Sequence, residues 1–138
     1  MSSIKPITDN SMSQAPTDIK FRKQSQQLEL SYASGEQFAL DSEFLRVHSP
    51  SAEVRGHGAG QETLQTGKLN VQITELIPVG NYALQLVFSD GHDSGIYSWT
   101  YLRELCEQRD ALWKAYLQKL DDNKASRDPD EQVVKFFN

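Results

Sequence analysis

The sequence predicts an α+β fold: a mainly antiparallel sheet of about five strands in two groups, a short helix, a long glycine-containing loop, and one long C-terminal helix packed on the sheet. Two observations lead to this prediction. Apolar residues alternate with polar ones in two separate runs, 19–40 and 71–88, and a stripe of helical spacing follows over 99–120. Strands grouped in runs, rather than alternating with helices, are typical of an antiparallel sheet covered by a helix.

The first group of strands follows the polar N-terminal segment. Alternation over 19–22 and 28–32 predicts two half-buried strands, and the segment 37–40 predicts a short third strand after the turn 33–36. Together these three segments predict an antiparallel meander.

A short helix and a long loop separate the two groups. Asp41 or Ser42 is a suitable N-cap for one or two helical turns that end near His48. The following segment, Ser49–Lys68, contains four glycines and a proline and has almost no apolar periodicity. Loops of this length in a small domain are usually functional or mobile.

The second group is a hairpin, and the long helix follows it. The strand over 71–74 is followed by a turn at Pro78–Asn81 and by the most one-sided strand of the chain, Tyr82–Phe88, and 89–95 is a loop. Ser98 is the expected cap of the helix. The residues of its apolar stripe are Trp99, Leu102, Leu105, Cys106, Leu112, Trp113, Tyr116, Leu117 and Leu120.

We expect one domain, 17–120, between a disordered N-terminal tail at 1–16 and a flexible C-terminal tail at 121–138. The C-terminal tail contains four apolar residues near its end, which either fold back on the domain or await a partner. They are Val133, Val134, Phe136 and Phe137.

Composition excludes several classes of partner. A net charge of -5 provides no basic surface for a phosphate backbone, so we do not expect nucleic acid. The sequence contains no run of about 18 apolar residues, which a membrane-spanning helix needs, and we expect no membrane association. The single cysteine, Cys106, excludes an intrachain disulfide and suits the cytoplasm. Its place on or beside the helical stripe predicts a core residue.

Two histidines beside glycines are the main candidates for chemistry. His57 lies in "RGHGAG" and His92 in "SDGHDSG". Imidazole titrates near neutrality and binds iron or zinc, so the pair could hold a divalent metal. The alternative is that each ring only hydrogen-bonds the backbone of its loop. Candidate helpers for a metal are His48, Glu53, Asp90 and Asp93.

Other chemistries fit the loops less well. Ser49, Ser51, His57 and Asp90 include the residue types of a hydrolase triad, but there is no G-x-S-x-G motif. The alternating glycines lack the strand and the apolar helix of a dinucleotide-binding site. The Arg55 to Gly60 loop could still bind a small anion through its backbone amides.

Two motifs considered together resemble a known family. The segments "LRVHSPSAEVRGHG" (45–58) and "FSDGHDSGIYSWTYLREL" (88–105) resemble the gamma-butyrobetaine hydroxylase-like N-terminal domain family, long classed as a domain of unknown function. The resemblance spans roughly 19–120. Its signature residues are Ser49, Pro50, Ser51, Ala52, Glu53, Arg55, Gly56, His57, Gly58, Asp90, Gly91, His92 and Trp99.

The resemblance implies a zinc site that this chain does not retain. In carnitine-pathway dioxygenases the module holds zinc with three cysteines and one histidine. The histidine corresponds to His92, and the cysteines correspond to Ser49, Ser51 and about Val54. Hydroxyls and a valine cannot replace thiolates as tight zinc ligands.

The resemblance also bounds the function. The family occurs as small standalone bacterial proteins, as a module of dioxygenases and joined to iron-sulfur carriers. The sequence does not include the dioxygenase jelly-roll domain, so we do not infer hydroxylation. We expect a noncatalytic accessory or interaction module with a protein partner, with metal binding left open. The alternatives are a metal-dependent enzyme or sensor using His57 and His92, and anion binding by the Arg55 to Gly60 loop.

Overall fold

The computed structural model describes residues 15–56, 58 and 60–131. Within them the chain forms six strands, two short helices and one long helix. In chain order they are β1 (Asp18–Arg22), β2 (Gln27–Ser31), β3 (Gln37–Asp41), α1 (Ser42–Val47), α2 (Ala52–Arg55), β4 (Ile73–Val79), β5 (Ala83–Phe88), β6 (Gly95–Ser98) and α3 (Trp99–Asp122).

The strands form two three-stranded antiparallel sheets. One has the order β1-β2-β3 and the other has the order β4-β5-β6. The pairs Leu28 with Leu40 and Leu84 with Tyr97 show how the register places apolar residues on a common face. The predicted α+β class is therefore confirmed, with the strands in two groups and α3 contacting both.

The larger of two apolar clusters in the described residues joins the two sheets to α3, and the smaller one consists of Val47, Tyr116 and Leu120. The larger cluster includes Leu28, Leu30, Leu40, Phe44, Leu45, Leu86, Phe88, Tyr97, Leu102 and Leu105. Each of these side chains is almost completely buried, so that both sheets and the helix depend on the same packing. Cys106 also lies in this core, and burial raises the pKa of its thiol to about 12.

Three local features differ from the sequence-based prediction. The structure forms strand β6 at Gly95–Ser98, where the sequence predicts the end of a loop and the cap of a helix. Four residues that begin with a glycine are too few to show the alternation of apolar and polar residues that marks a strand. β4 continues through Pro78, which an edge strand tolerates since one side of it makes no ladder bonds. The turn therefore falls at Gly80, which has a φ of +54°, and α2 forms inside the segment expected to be a long loop.

The long helix begins as expected at Ser98. The Ser98 hydroxyl accepts a hydrogen bond of 3.1 Å from the backbone N–H of Tyr101, which would otherwise lack a partner at the helix start. Five stripe residues are buried, whereas Leu117 is largely exposed. No helix in the described parts of the chain is long and apolar enough to span a bilayer.

Replacing Ser98 by alanine is expected to destabilise the protein by about 1 kcal/mol, because the first turn of α3 loses its cap. Urea denaturation followed by circular dichroism measures the change. Ser98→Asp should keep most of the stability, since aspartate also caps. Equal loss in both variants would contradict a capping role.

The segment after α3 contacts the domain. The backbone N–H groups of Gly67 and Leu69 donate to the carbonyls of Ser126 and Arg127 at 2.9 and 3.0 Å. The Arg127 guanidinium makes two hydrogen bonds, of 2.7 and 2.6 Å, to the buried Glu43 carboxylate. These contacts involve residues 126 and 127, which lie within the segment 121–138 that the sequence predicts to be a flexible tail. Residues 132–138, and 1–14 of the expected N-terminal tail, lie outside the described residues.

Candidate functional site

The two signature loops meet at His92. Its Nε2 lies 2.8 Å from the Ser49 hydroxyl, and its Nδ1 lies 3.6 Å from a carboxylate oxygen of Glu53. A tight turn directs the ring inward, because the N–H of Phe88 bonds the His92 carbonyl and Gly91 takes a φ of +88°. The first loop therefore contacts the second through a buried imidazole.

The hydrogen-bond pattern assigns the proton of this imidazole. Burial, together with the nearby Arg46 guanidinium, lowers the pKa of His92, so the ring is neutral at pH 7. A proton on Nδ1 faces the Glu53 carboxylate, and Nε2 then accepts from the Ser49 hydroxyl. The Ser49 oxygen also accepts from the N–H of Ser51 at 3.3 Å. Nε2 of His92 is therefore hydrogen-bonded, whereas Nδ1 lies 3.6 Å from Glu53, beyond hydrogen-bond distance.

Gly95 is required beside this contact. A Cβ at that position would lie 2.6 Å from the Ser49 hydroxyl oxygen, which is too close for any real side chain. The glycine that opens β6 therefore permits the Ser49–His92 hydrogen bond.

Asp90 is the centre of a second polar contact between the loops. Its Oδ2 accepts from Nε of Arg46 at 2.9 Å and from Nζ of Lys68 at 2.7 Å, and its Oδ1 accepts from the N–H of His92 at 3.2 Å. Burial alone would raise the pKa of Asp90, but the hydrogen bonds from Lys68, His92 and Arg46 lower it to about 2.

Arg46 is the principal site residue that sequence reasoning missed. It lies on α1, whose six residues are all buried, and it also donates to Gln65 at 3.1 Å. The available signal was an arginine between Leu45 and Val47, because a charge in an apolar stretch needs a buried partner. The sequence does not show that this partner is Asp90, 44 residues away.

Hydroxyl groups of the second sheet and of α3 hold the end of α1. The Tyr97 hydroxyl donates to the carbonyl of Leu45, and the Tyr101 hydroxyl donates to the carbonyl of His48 at 2.6 Å. The Arg55 guanidinium stacks over the Tyr101 ring at 4.5 Å. These contacts fix the start of the first loop against α3.

The remaining candidates lie apart from His92 or have other partners. The His48 ring donates from Nδ1 to the carbonyl of Phe44 at 2.9 Å. Asp93 is exposed and contributes a backbone carbonyl to Gln85, while the Trp99 indole donates to the carbonyl of Asn81 at 2.7 Å. His57 lies outside the described residues.

Gly56 is needed for the path of the first loop. It has a φ of +71°, and a Cβ there would lie 2.2 Å from the carbonyl oxygen of Gln61. No other residue fits this position without a shift of the backbone. The signature glycine therefore has a conformational role.

Ser49, His92 and Glu53 follow the order of a hydrolase triad, but the geometry does not favour catalysis. The Ser49 residue is only 1% exposed, so a substrate carbonyl has no path to its hydroxyl. The Glu53 side chain is 74% exposed and only distantly paired with the ring. The three residues therefore form a structural contact.

The residues do not fit the zinc ion that the family resemblance implies. The Ser49 hydroxyl bonds His92 directly, and Val54 is a buried apolar residue. The Ser51 hydroxyl is buried without a hydrogen-bond partner among the described residues. Neutral hydroxyls are poor zinc ligands. Within 15–56, 58 and 60–131, no group of three histidine, cysteine or acidic residues could hold a metal.

The fold and the loops define a small α+β module whose two loops are joined by buried polar contacts. The family model described as "Gamma-butyrobetaine hydroxylase-like, N-terminal" matches residues 19–103. The chain belongs to this family, as its two motifs predicted. No curated protein matches the chain.

Solved structures resemble the chain over most of its length. Two were determined by NMR in solution: one is 51% identical, with a TM-score of 0.75 over 89% of this chain and 97% of the other. The second is 47% identical, with a TM-score of 0.73 over 96% and 100%. A crystal structure from Acidithiobacillus ferrooxidans, of a protein of unknown function in the DUF971 family, is 39% identical, with a TM-score of 0.57 over 71% and 97%.

Proposed function

We propose that the chain is a noncatalytic accessory module that acts by binding a partner protein. The observation that carries this proposal is the buried hydrogen bond between Ser49 and His92, in which the two side chains join the signature loops. The family's occurrence with dioxygenases and iron-sulfur carriers favours a partner from one of those chemistries. A cytoplasmic location belongs to the same proposal.

The other reactive groups near the loops are engaged as well. Asp90 is an acceptor for Arg46 and Lys68, which leaves it unsuited to accept a proton near neutrality. The Cys106 thiol is buried in the core, and its raised pKa keeps it protonated. The arrangement therefore favours a rigid surface over a reaction centre.

The outer face of the second sheet is a suitable surface for the partner. Ile96 is 48% exposed on the edge strand β6, and its cross-strand neighbour is Gln85, which pairs in turn with Ile77. Side chains opposite one another on neighbouring strands share a face, so Ile77 and Ile96 lie on one face of the sheet with Gln85 between them. Of the two, Ile96 is the more exposed, and it is the apolar side chain on this face that a partner protein could cover.

Affinity purification from the native organism tests the partner, with EDTA present throughout. We expect one stoichiometric partner that Ile96→Glu releases. Ala111→Glu is the matched control, because it places the same charge on an exposed position of α3. Equal binding by wild type and Ile96→Glu, or binding that EDTA abolishes, would contradict the proposal.

A double-mutant cycle tests the structural role of the Ser49–His92 contact. Ser49→Ala and His92→Gln should each lower the free energy of unfolding by about 1 to 2 kcal/mol, because each leaves a buried polar group unpaired. The double variant should lose much less than the sum. Urea denaturation measures the free energy of unfolding of each variant, and repeating it with EDTA shows whether a metal contributes to that stability.

Ser51→Ala is the matched control for this cycle. Its hydroxyl is buried without a described partner, so its removal should leave stability unchanged or raise it. Additive losses for Ser49 and His92, or loss of stability in EDTA, would show that their contact does not hold the loops.

A second candidate function is a divalent-metal site on His92, Glu53 and His57. The observation that favours it is the 3.6 Å approach of the Glu53 carboxylate to Nδ1 of His92, on the side where Glu53 is exposed. Elemental analysis of protein purified without a metal-binding tag tests it, with His57→Ala and His92→Ala as variants. Substoichiometric metal that neither change alters would eliminate this candidate.

A further inference from the structure

An exposed apolar surface lies at the C-terminal end of α3. Leu69 and Leu117 are 41% and 40% exposed, and with Leu120 and Ala125 they line a depression of about 400 Å³. We refer to these four residues as the Leu69–Leu117 patch. Two large apolar side chains exposed within one depression favour an occupant that covers both.

The described chain ends at the edge of this patch. The hydrogen bonds of Gly67 and Leu69 to the backbone at 126–127 hold the segment after α3 against the loop before β4. The Arg127–Glu43 ion pair, at 2.6 Å, fixes the same segment from the other side. Glu131, the last described residue, itself lines the depression. The next residues of the chain therefore start beside the exposed leucines.

We propose that the segment Gln132–Asn138 of the same chain covers the Leu69–Leu117 patch. Seven residues reach up to about 23 Å when extended, which is more than the depression requires. The segment contains Val133, Val134, Phe136 and Phe137, which are the apolar groups that such a surface takes.

Charge and tether length favour this occupant over a separate molecule. Lys135 is the only charged side chain of the segment. The depression is lined by three carboxylates, those of Asp121, Asp128 and Glu131, and by one guanidinium, that of Arg127, which is paired with Glu43. A tether this short gives an effective concentration in the millimolar range, so that a modest intramolecular contact outcompetes a dilute partner. The inference does not depend on the proposed function, because Ile96 lies on β6 and none of the four patch residues belongs to a strand.

Deletion of residues 132–138 tests the proposal. We expect the melting temperature to fall by roughly 3 to 8 °C, as for the loss of a small apolar contact from a domain of this size. NMR of the full chain should show nuclear Overhauser effects between the Phe136 or Phe137 ring and the methyl groups of Leu69 or Leu117.

Two point variants make the test specific. Leu117→Gln should lower the melting temperature of the full chain by more than that of the deleted chain, because its partner is present only in the full chain. Ile96→Gln, an equally exposed apolar position, should have the same effect in both backgrounds.

Three results would overturn the proposal. The first is a melting temperature that deletion of residues 132–138 does not change, together with the absence of nuclear Overhauser effects between the phenylalanine rings and the two leucines. The second is an equal fall in melting temperature on Leu117→Gln in the full chain and in the deleted chain. The third is a melting temperature and a dimer population that rise with protein concentration in the full chain alone, which would assign the segment to a second copy.

Discussion

Replacing Asp90 by asparagine is expected to lower the free energy of unfolding by about 3 kcal/mol at pH 7, because breaking a buried ion pair leaves the other charge uncompensated. The side chain of Arg46 is 8% exposed, and Asp90 is the carboxylate that neutralises it at 2.9 Å. Lys68 loses the same partner. Chemical denaturation of the two proteins at a series of pH values measures the difference.

The effect should depend on pH in a defined direction. The pKa of Asp90 falls from 3.8 to about 2 on folding, so the unfolded chain binds the proton first as the pH is lowered. The contribution of the carboxylate is therefore fully present above pH 5 or so, and it is lost progressively as the pH falls through 4 towards 2. The wild type and Asp90→Asn should converge over this range.

Asp93→Asn is the matched control, because it removes the same charge from an exposed position in the same loop. A surface change of this kind should alter stability by less than about 0.5 kcal/mol. If both variants lose the same stability, or if the Asp90→Asn difference stays constant down to pH 2, the Asp90–Arg46 ion pair does not stabilise the fold.

The fold could be predicted from the sequence wherever the pattern is local. The alternation of apolar and polar residues predicts β2 and β5, and the apolar helical stripe together with Ser98 predicts the start of α3. β6 could not be found in this way, because Gly95–Ser98 is a strand only through its pairing with β5. Pro78 was misleading for a related reason: its place in a strand depends on that strand being at an edge.

The site was predictable in its residues but not in its contacts. His92, Ser49, Glu53 and Asp90 were all marked by the two signature loops. The hydrogen bond between Ser49 and His92 joins residues 43 positions apart in the sequence. The ion pair between Arg46 and Asp90 joins residues 44 positions apart. Such contacts are set by how the two sheets pack on α3, and no local pattern records them.

Ser49 explains how the loops stay joined when the thiolates implied by the family resemblance are absent. A zinc ion would hold both loops by binding cysteines of the first and the histidine of the second. Here one hydroxyl at the first of those positions reaches Nε2 of His92 at 2.8 Å without a metal. The Ser51 hydroxyl, at the second of those positions, is buried and has no hydrogen-bond partner among the described residues.

The triple variant Ser49→Cys, Ser51→Cys, Val54→Cys is therefore expected to bind one zinc ion, with His92 as the fourth ligand. Structural zinc sites of three or four such ligands contribute roughly 10 to 16 kcal/mol of apparent binding free energy at neutral pH. Zinc should therefore raise the melting temperature of the variant far more than that of the wild type. Calorimetric titration and the absorption of the cobalt-substituted protein measure affinity and thiolate ligation.

Adding His92→Ala to the triple variant is the control, since it should remove the fourth ligand and weaken binding strongly. Cys106 does not compete for the ion, because it is buried in the core with its thiol pKa raised to about 12. A triple variant that binds zinc no better than the wild type would show that positions 49, 51 and 54 do not converge on His92. Binding that survives His92→Ala would show that the cysteines ligate elsewhere, and the Ser49–His92 hydrogen bond would then not occupy the place of the metal.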